Sequence, residues 1–256
     1  MTAGNASLKR AQQDASVRAP KFLSVGQTHV GLVRDLNEDA LLNRPDIGLW
    51  AVADGMGGHA GGDVASRKIV EALETLGVQT SAHALRDAVT QAVDQVNSAL
   101  LSDPSAEMIG STVVTLLAHQ GHYACLWAGD SRAYLYRHGA LKRLTRDHSV
   151  VQDLVDAGTV RDDEARQHPQ ANVITRAVGA KASLKLDETF GVLQPNDRFL
   201  LCSDGLTAHV SDREIAEAMR RSPLERGATM LVDLALSRGG RDNVTVVLVS
   251  TEGGSA

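Results

Sequence analysis

Cysteine is scarce in this chain of 256 residues, which contains only two. Both of them, Cys125 and Cys202, lie inside apolar runs, where a cysteine acts as a small hydrophobic side chain. A disulfide framework or a structural zinc site needs several cysteines at characteristic spacings. The composition therefore argues against a disulfide-stapled secreted domain and favours a reducing compartment.

Long apolar runs and an excess of basic charge are also missing. The apolar runs have the length of β-strands and fall well short of the ~18 residues that a membrane-spanning helix needs. The net charge is -5, with acidic and basic residues interspersed, so neither nucleic acid nor an anionic membrane is an expected partner. We expect a cytoplasmic monomer.

The chain is expected to form one domain with short extensions. Residues 1–20 are rich in Ala, Ser, Gln, Lys and Arg and carry no apolar segment of the kind found in a secretory signal. No internal repeat or low-complexity linker divides the part that follows. We therefore expect a flexible N-terminal arm over residues 1–20, a domain over residues 21–251 and a tail over residues 252–256.

Hydrophobic periodicity predicts the order of the elements. Short or alternating apolar segments predict strands over residues 22–31, 40–42, 49–53, 112–117, 123–128, 132–137, 141–144, 184–192, 198–203 and 244–250. A spacing near 3.6 predicts helices with apolar faces over residues 65–76, 85–100, 150–155, 215–219 and 224–235. Because strands and helices come in blocks, we expect packed antiparallel sheets with helices outside, in preference to a parallel sheet.

The stretch from Leu49 to Gly62 carries the first candidate site. A short buried strand runs into Asp54 and then into a cluster of glycines, which let the backbone approach a ligand closely. The carbonyl of Gly55 could then coordinate a cation, whereas a plain strand followed by a tight turn explains the stretch equally well. Other carboxylates have to decide between the two interpretations.

Three aspartates, Asp54, Asp204 and Asp242, lie at strand boundaries beside Gly or Asn, and the chain has no clustered His or Cys ligands. Such oxygen ligands suit Mg²⁺ or Mn²⁺. Two ions about 3.5–4 Å apart would activate water and stabilise an in-line displacement at phosphorus, and Arg34 could grip the phosphate. Asp–Gly pairs also occur in many ordinary turns, so the spacing alone leaves both interpretations open.

Five motifs in order resemble those of the metal-dependent protein phosphatases, the type 2C serine/threonine phosphatases, and most of all their compact bacterial members. The motifs are Arg34-Asp-Leu-Asn37-Glu38-Asp39, Asp54-Gly-Met-Gly-Gly-His59, Gly129-Asp130-Ser131-Arg132, Cys202-Ser-Asp204-Gly205-Leu206 and Arg241-Asp242-Asn243-Val-Thr245. The resemblance covers nearly the whole chain after the arm. It implies an α+β fold, a four-layer αββα sandwich with two central, mainly antiparallel sheets flanked by helix pairs.

The resemblance also implies an activity and a site. The implied activity removes phosphate from phosphoserine and phosphothreonine in proteins phosphorylated by a serine/threonine kinase, at a binuclear Mn²⁺ or Mg²⁺ centre with room for a third, weaker ion. The implied ligands of the core ions are Asp54, which bridges both, the carbonyl of Gly55, Asp204 and Asp242. By the same resemblance, Asp130 matches the ligand of the third ion, Glu38 and Asp39 match positions that act through water, Arg34 matches the phosphate-binding arginine, and residues 147–179 match a flap that influences substrate choice.

One position departs from the family pattern. Some relatives carry a histidine, proposed as the general acid, directly after the Asp-Gly pair, whereas this chain has Met56, which cannot donate a proton. His59 lies further on, and a residue that fixes the glycine turn is the simpler interpretation of it. We expect water at the metal centre to protonate the leaving group instead.

Two other functions are compatible with these motifs. A catalytically silent member of the family would bind phosphoproteins as a regulatory module. An enzyme for small phosphate esters would keep the same centre and differ only in its substrates. Turnover of a phosphopeptide in the presence of metal separates the enzyme from the silent module, and competition between small phosphate esters and phosphopeptides identifies the third possibility.

Several conspicuous side chains have plain structural interpretations. Trp50, Trp127 and Tyr134 each lie inside a predicted strand and are assigned to the core. His148 is interpreted as an ordinary flap residue, as is His168. Ser203 precedes Asp204 but has no matching His and Asp arrangement, so we do not expect it to act as a nucleophile.

Overall fold

The computed structural model describes residues 22–57, 61–103, 109–165 and 168–252. The predicted arm over residues 1–20 and His59 lie outside these ranges, as does most of the predicted tail. The strands are β1 Phe22–His29, β2 Asp39–Arg44, β3 Leu49–Met56, β4 Gly110–Ser111, β5 Val113–His119, β6 His122–Ala128, β7 Arg132–Arg137, β8 Ala140–Arg143, β9 Asp187–Val192, β10 Arg198–Cys202 and β11 Val244–Thr251. The helices are α1 Gly62–Glu74, α2 Ala82–Leu101, α3 Val150–Asp156, α4 Asp204–Thr207, α5 Asp212–Met219 and α6 Leu224–Ser237. Among these described helices, none combines the length and hydrophobicity that a bilayer crossing requires.

Two antiparallel sheets form the centre of the fold. The first has the strand order β1-β11-β10-β7-β8, and the second has the order β2-β3-β5-β6-β9 with β4 added to β3. The pairings between these strands are antiparallel. Helices α1 and α2 pack over the second sheet, and helices α5 and α6 pack over the first. The predicted four-layer αββα sandwich is confirmed.

Alternation of side chains along the central strands explains the three apolar layers. Along β3, Trp50 and Val52 face the other sheet, while Leu49 and Ala51 face helices α1 and α2. Successive side chains of a strand point to opposite faces, so a strand that is apolar at every position is buried on both sides. Complete burial of each large aliphatic side chain contributes about 1.5–3 kcal/mol.

The residues that the sequence assigns to the core are buried. They are Trp50, Trp127, Tyr134, Cys125 and Cys202. Burial raises the pKa of both thiols, which keeps them protonated and unreactive. The prediction that the two cysteines serve as small hydrophobic side chains is confirmed.

Helix ends follow the sequence signals. Ser81 Oγ accepts the Ala84 N–H over 3.1 Å at the start of α2. Ser211 and Glu214 form a capping box at the start of α5. A cap of this kind stabilises a helix by about 1 kcal/mol. Gly239, with φ of 122°, ends α6 in a conformation that favours glycine.

One strand prediction is wrong at its start, because β9 begins at Asp187 and not at Leu184. Leu184 and Leu186 pack against the core beneath α1 and α2, so their hydrophobicity reflects burial without strand pairing. Helix α1 begins at Gly62, ahead of the predicted apolar face. Helix α4 and strand β4 are too short to leave a periodic signal in the sequence.

The strand ends bring five aspartates to one edge of the sandwich. Asp39 opens β2 and stands opposite Asp54 on β3. Asp204 follows β10 and Asp242 precedes β11, and these two strands are antiparallel neighbours, so the end of one lies beside the start of the other. Asp130 lies between β6 and β7, next to the strand that pairs with β10. Both sheets therefore contribute to the same edge.

Candidate metal centre

One hydrogen bond joins the two sheets at this edge. Ser203 Oγ donates to Asp39 Oδ2 over 2.8 Å, and the same oxygen accepts the Thr245 N–H over 3.0 Å. Ser203 directly follows β10 and Thr245 lies on β11, two strands of the first sheet, whereas Asp39 opens β2 of the second sheet. The Ser203 hydroxyl is occupied in holding Asp39, as expected of a serine that is not a nucleophile.

The two oxygens of Asp39 have different surroundings. The residue is 8% exposed, and Oδ2 is bonded to Ser203. Among the described residues, Asp39 Oδ1 has no hydrogen-bond partner. Burial raises the pKa of Asp39 to about 7, and its hydrogen bonds oppose that rise. A buried carboxylate oxygen without a partner is unfavourable unless a ligand satisfies it.

Asp54 and Asp204 are close enough for each to shift the pKa of the other. Burial raises the pKa of Asp54 well above its usual value, and the nearby charges of Asp39 and Asp204 raise it further. Burial also raises the pKa of Asp204 to about 6, with the charge of Asp242 as the next cause. Repulsion of this kind requires that the carboxylates share one small region.

Thr112 fixes the backbone beside both Asp54 and Asp130. Its Oγ1 accepts the Asp54 N–H over 3.1 Å and lies 2.7 Å from the Ser131 hydroxyl. Burial raises the pKa of Asp130 well above its usual value, and the charge of Asp204 adds to the rise. Asp130 therefore belongs to the same acidic group, and the threonine that anchors its turn carries no signal in the sequence.

Asn243 anchors the loop between β1 and β2. Its side-chain oxygen accepts the Glu38 N–H over 2.8 Å. Its amide nitrogen donates to the carbonyls of Val30 and Leu36 over 2.8 and 3.0 Å. The sequence analysis singled out its neighbour Asp242 and missed this residue. A side chain with both a donor and an acceptor, next to a candidate ligand, was the available signal.

Two glycines of the motifs are required by close backbone packing. A Cβ on Gly55 would collide with the carbonyl of Gly62 and would lie 2.7 Å from the carbonyl of Glu38. A Cβ on Gly205 would collide with the carbonyl of Asn243. Any larger residue would separate the segments that carry the acids, so packing alone already accounts for both glycines.

Arg34 and Asp242 form an ion pair, with Nη2 of the arginine 2.8 Å from Oδ2 of the aspartate. The side chains are 50% and 36% exposed, so the pair lies at the rim of the acidic group. The hydrogen bond to Asp242 and its charge raise the pKa of Arg34. The sequence assigned one of these residues to phosphate and the other to a metal ion, whereas in the structure they bind each other.

The donors suit a hard divalent cation in type, since the centre consists of carboxylates and backbone carbonyls. Within the described ranges, no three His, Cys, Asp or Glu side chains already stand in a geometry that could hold a metal ion. Asp242 is turned to Arg34, with its Oδ2 2.8 Å from the guanidinium. The unpartnered oxygen of Asp39 and the raised pKa values of Asp39 and Asp54 indicate that the site lacks compensating positive charge. The residues therefore fit the ions, with side-chain rotation needed to coordinate them.

Met56 ends β3 and pairs with Gly110 of β4. Its thioether has no proton to donate, so it cannot replace the histidine that some relatives carry at this place. His59 lies outside the described residues, and its predicted role in the glycine turn stays a prediction.

A cavity of about 340 Å³ lies between the acidic group and the flap. Asp130 and Asp204 contribute to its wall, and so do Gln152, Val155 and Ala171 of the flap. The flap contains helix α3, where the sequence predicts a short helix. The cavity gives a substrate side chain room beside the acids.

The four-layer sandwich with acids at an edge shared by both sheets defines a recognised class of phosphatase folds. The family model for protein phosphatase 2C matches residues 26–234. The chain belongs to the protein phosphatase 2C family, as the five motifs predict.

Individual relatives agree with this membership. The chain is 41% identical over 223 residues to the serine/threonine protein phosphatase PstP of Mycobacterium tuberculosis, a match that covers 85% of this chain and 43% of PstP. It is 34% identical over 238 residues to the serine/threonine phosphatase stp of Listeria monocytogenes, covering 88% of this chain and 94% of that protein. The catalytic domain of PstP, solved in complex with two manganese ions, matches with a TM-score of 0.82 at 36% identity, over 90% of this chain and 98% of that one. The chain thus spans less than half the length of the first of these relatives.

Proposed function

We propose that this protein is a metal-dependent serine/threonine protein phosphatase that hydrolyses phosphoserine and phosphothreonine at a binuclear Mn²⁺ or Mg²⁺ centre. The gathering of buried carboxylates at one edge of both sheets carries the proposal. Their pKa values are raised by burial and by one another, as for Asp54 and Asp204. Buried carboxylates in this arrangement are unfavourable unless cations neutralise them.

The ligand set proposed for the ions combines both sheets. Asp54, the Gly55 carbonyl, Asp204 and Asp242 would hold the two core ions, Asp130 would hold a third and weaker one, and Glu38 and Asp39 would act through water. When bound, such ions acidify a water molecule and stabilise the oxygens of an in-line displacement at phosphorus. The solved complex of PstP with two manganese ions supports this assignment.

Arg34 is proposed to bind and orient the phosphate group. Its side chain is 50% exposed, so a substrate can reach it, and Asp242 already holds it towards the acidic group. A guanidinium binds two phosphate oxygens at once. An incoming phosphate therefore competes with Asp242 for the same arginine.

The proposed partners are proteins phosphorylated on serine or threonine. The names of the relatives from Mycobacterium tuberculosis and Listeria monocytogenes support this substrate class. A cytoplasmic location, a monomeric state and the absence of a nucleic-acid partner stay predictions from the composition.

The test measures release of inorganic phosphate from a phosphothreonine peptide by the purified chain. We expect activity to disappear after treatment with a chelator and to return when Mn²⁺ is restored. Activity that survives complete removal of divalent ions would rule out the proposed centre.

The same assay separates the two rival functions. A silent phosphoprotein-binding module would retain the phosphopeptide without turnover at any Mn²⁺ concentration. An enzyme for small phosphate esters would turn over those esters in preference to the peptide when both compete for the same protein.

A further inference from the structure

His148 is a buried histidine at the root of the flap, and both of its ring nitrogens are bonded. Nδ1 lies 3.1 Å from the backbone nitrogen of Gly129. Nε2 lies 3.2 Å from Asp187 Oδ2. The residue is 8% exposed, and its ring stacks on Trp127 with centroids 6.1 Å apart and planes inclined by 11°. The ring is therefore fixed in both position and orientation.

The hydrogen-bond partners determine which ring nitrogen carries the proton. The Gly129 N–H can only donate, so Nδ1 has to present its lone pair. Nε2 then carries the proton and donates to Asp187, whose other oxygen accepts from Arg176 Nη1 over 2.6 Å. Burial lowers the pKa of His148, which favours the neutral ring that this arrangement needs.

The backbone of His148 joins the same regions a second time. Its N–H donates to the Gly129 carbonyl over 3.0 Å, and its carbonyl accepts the Thr175 N–H over 2.8 Å. The flap leaves the body of the protein at His148 and comes back to it at Thr175. One residue thus connects the turn before Asp130 with both ends of the flap.

The turn that carries Asp130 is held on both flanks. Gly129 has φ of 115°, and a Cβ on it would lie 2.6 Å from Thr112 Cγ2. On the other flank, the Ser131 hydroxyl lies 2.7 Å from Thr112 Oγ1. From the flap, the His148 ring adds a side-chain contact to Gly129 of this turn.

We propose that His148, with its proton on Nε2, is a positioning residue that sets the direction of Asp130 and couples this aspartate to the base of the flap. His148 acts through Gly129 and does not itself touch substrate. The role in cation binding rests on the proposed function, because it takes Asp130 as the ligand of the weaker ion. The tautomer and the coupling to the flap follow from the contacts alone.

Two substitutions separate this role from that of an ordinary buried histidine. His148→Asn keeps an acceptor oxygen near the place of Nδ1, facing Gly129, but is too short to reach Asp187. His148→Gln extends towards Asp187 and leaves the Gly129 N–H without its acceptor. The two variants have similar polarity, so a general packing defect would affect both alike.

The experiment is a calorimetric titration of each full-length variant with Mn²⁺, accompanied by thermal unfolding. We expect His148→Gln to weaken the weakest Mn²⁺ site about 10-fold, the scale typical of outer-shell partners of a metal ligand, and His148→Asn to change it much less. The matched control is His122→Gln, because His122 is exposed at the opposite end of β6, about 20 Å away, and should have no effect. An equal loss of Mn²⁺ affinity in His148→Asn and His148→Gln would overturn the proposal, and so would an unchanged affinity in His148→Gln.

A second measurement needs no variant and no activity. In the nitrogen NMR spectrum of the wild-type chain, the His148 ring should show a protonated Nε2 and an unprotonated Nδ1. A proton on Nδ1 would overturn the proposal even if the enzyme is fully active. Failure of the proposed function would look different, since the wild-type chain would then bind no Mn²⁺ and release no phosphate, whatever the tautomer.

Discussion

Strand β10 has an aspartate at each end, and the protein treats the two in opposite ways. Asp197 precedes the strand, is 1% exposed and accepts two hydrogen bonds from Arg137, each of 2.7 Å. Asp204 follows the strand and is half-buried, and desolvation together with the charge of Asp242 raises its pKa to about 6. Asp197 is satisfied by an arginine of the chain itself, whereas Asp204 lies among carboxylates whose charge a bound cation would neutralise.

The difference separates stability from function along a single strand of five residues. A buried carboxylate with its own arginine contributes to folding, and removing either partner is expensive. Carboxylates that repel each other oppose folding, and such groups are common at sites where a protein binds a charged ligand. Substitutions at the two ends should therefore have opposite consequences.

The largest effect is expected from Asp204→Asn. Activity on a phosphothreonine peptide with saturating Mn²⁺ should fall at least about 100-fold, since a direct ligand matters more than the outer partners that cost 10–100-fold. Unfolding in the presence of a chelator should occur at the same temperature or a higher one, because one repelling charge is gone. Initial rates and thermal unfolding of the same preparation check both parts. Retained activity would remove Asp204 from the centre.

Asp197→Ala should do the opposite of Asp204→Asn and lower stability while leaving activity unchanged. We expect the free energy of unfolding to fall by about 2–3 kcal/mol, because Arg137 loses the two carboxylate oxygens in a partly buried place and keeps the Val192 carbonyl as an acceptor. The rate per folded molecule should stay unchanged. Chemical denaturation measures the loss, and Asp46→Ala is the matched control, since its pair with Arg44 lies at the surface, where an ion pair contributes little to stability. Equal losses in the two variants would contradict the contrast between the ends of β10.

Ser203→Ala should have an intermediate effect, lowering both Mn²⁺ affinity and stability. Asp39 would lose the donor at 2.8 Å and the Thr245 N–H would lose its acceptor. We expect Mn²⁺ affinity to fall about 10-fold and stability to fall by about 1 kcal/mol. Calorimetry and denaturation measure the two effects, with Ser98→Ala on the exposed side of α2 as the control. Unchanged Mn²⁺ affinity would show that the tether between the sheets is purely structural.

The smallest effect is a dependence of stability on pH. The folded-state pKa values of Asp39 and Asp204 are raised to about 7 and about 6, above an unfolded value of about 4. The folded chain therefore holds more protons than the unfolded chain between these values, so stability falls as pH rises from about 4 to about 7. In chelator, the unfolding temperature should drop steadily over that window. A rise would contradict the raised pKa values.

With Mn²⁺ present, the unfolding temperature should instead rise with pH over the same window. Divalent ions bind deprotonated carboxylates, so their stabilising effect grows as pH rises. Asp204→Asn should flatten both curves. This comparison separates the acidic edge from the rest of the molecule under otherwise identical conditions.

The sequence predicts the elements well where hydrophobic periodicity is long. The strand from Leu49 and the helix capped by Ser81 illustrate this, since each pattern depends on neighbours along the chain. The predictions fail where an element is too short to show periodicity, or where a residue is apolar because it packs against the core outside any strand. Leu184 is apolar because it covers the core, and helix α4 occupies a single turn.

The candidate acids could be named from the sequence, but the residues that hold them could not. Asp39 and Ser203 lie 164 positions apart, and only the meeting of two sheets brings them together. The same holds for Asn243, Thr112 and His148, whose side chains bond to backbone groups that carry no side-chain signature. The pairing of Arg34 with Asp242 also depends on tertiary structure.

The most direct test is X-ray diffraction at the manganese absorption edge from crystals grown with Mn²⁺. We expect two strong anomalous peaks among Asp54, Asp204 and Asp242, with carboxylate oxygens about 2.0–2.6 Å from each ion, the range seen for oxygen ligands of hard cations. Peaks at another place on the molecule, or an empty anomalous map in this region at saturating Mn²⁺, would contradict the metal centre.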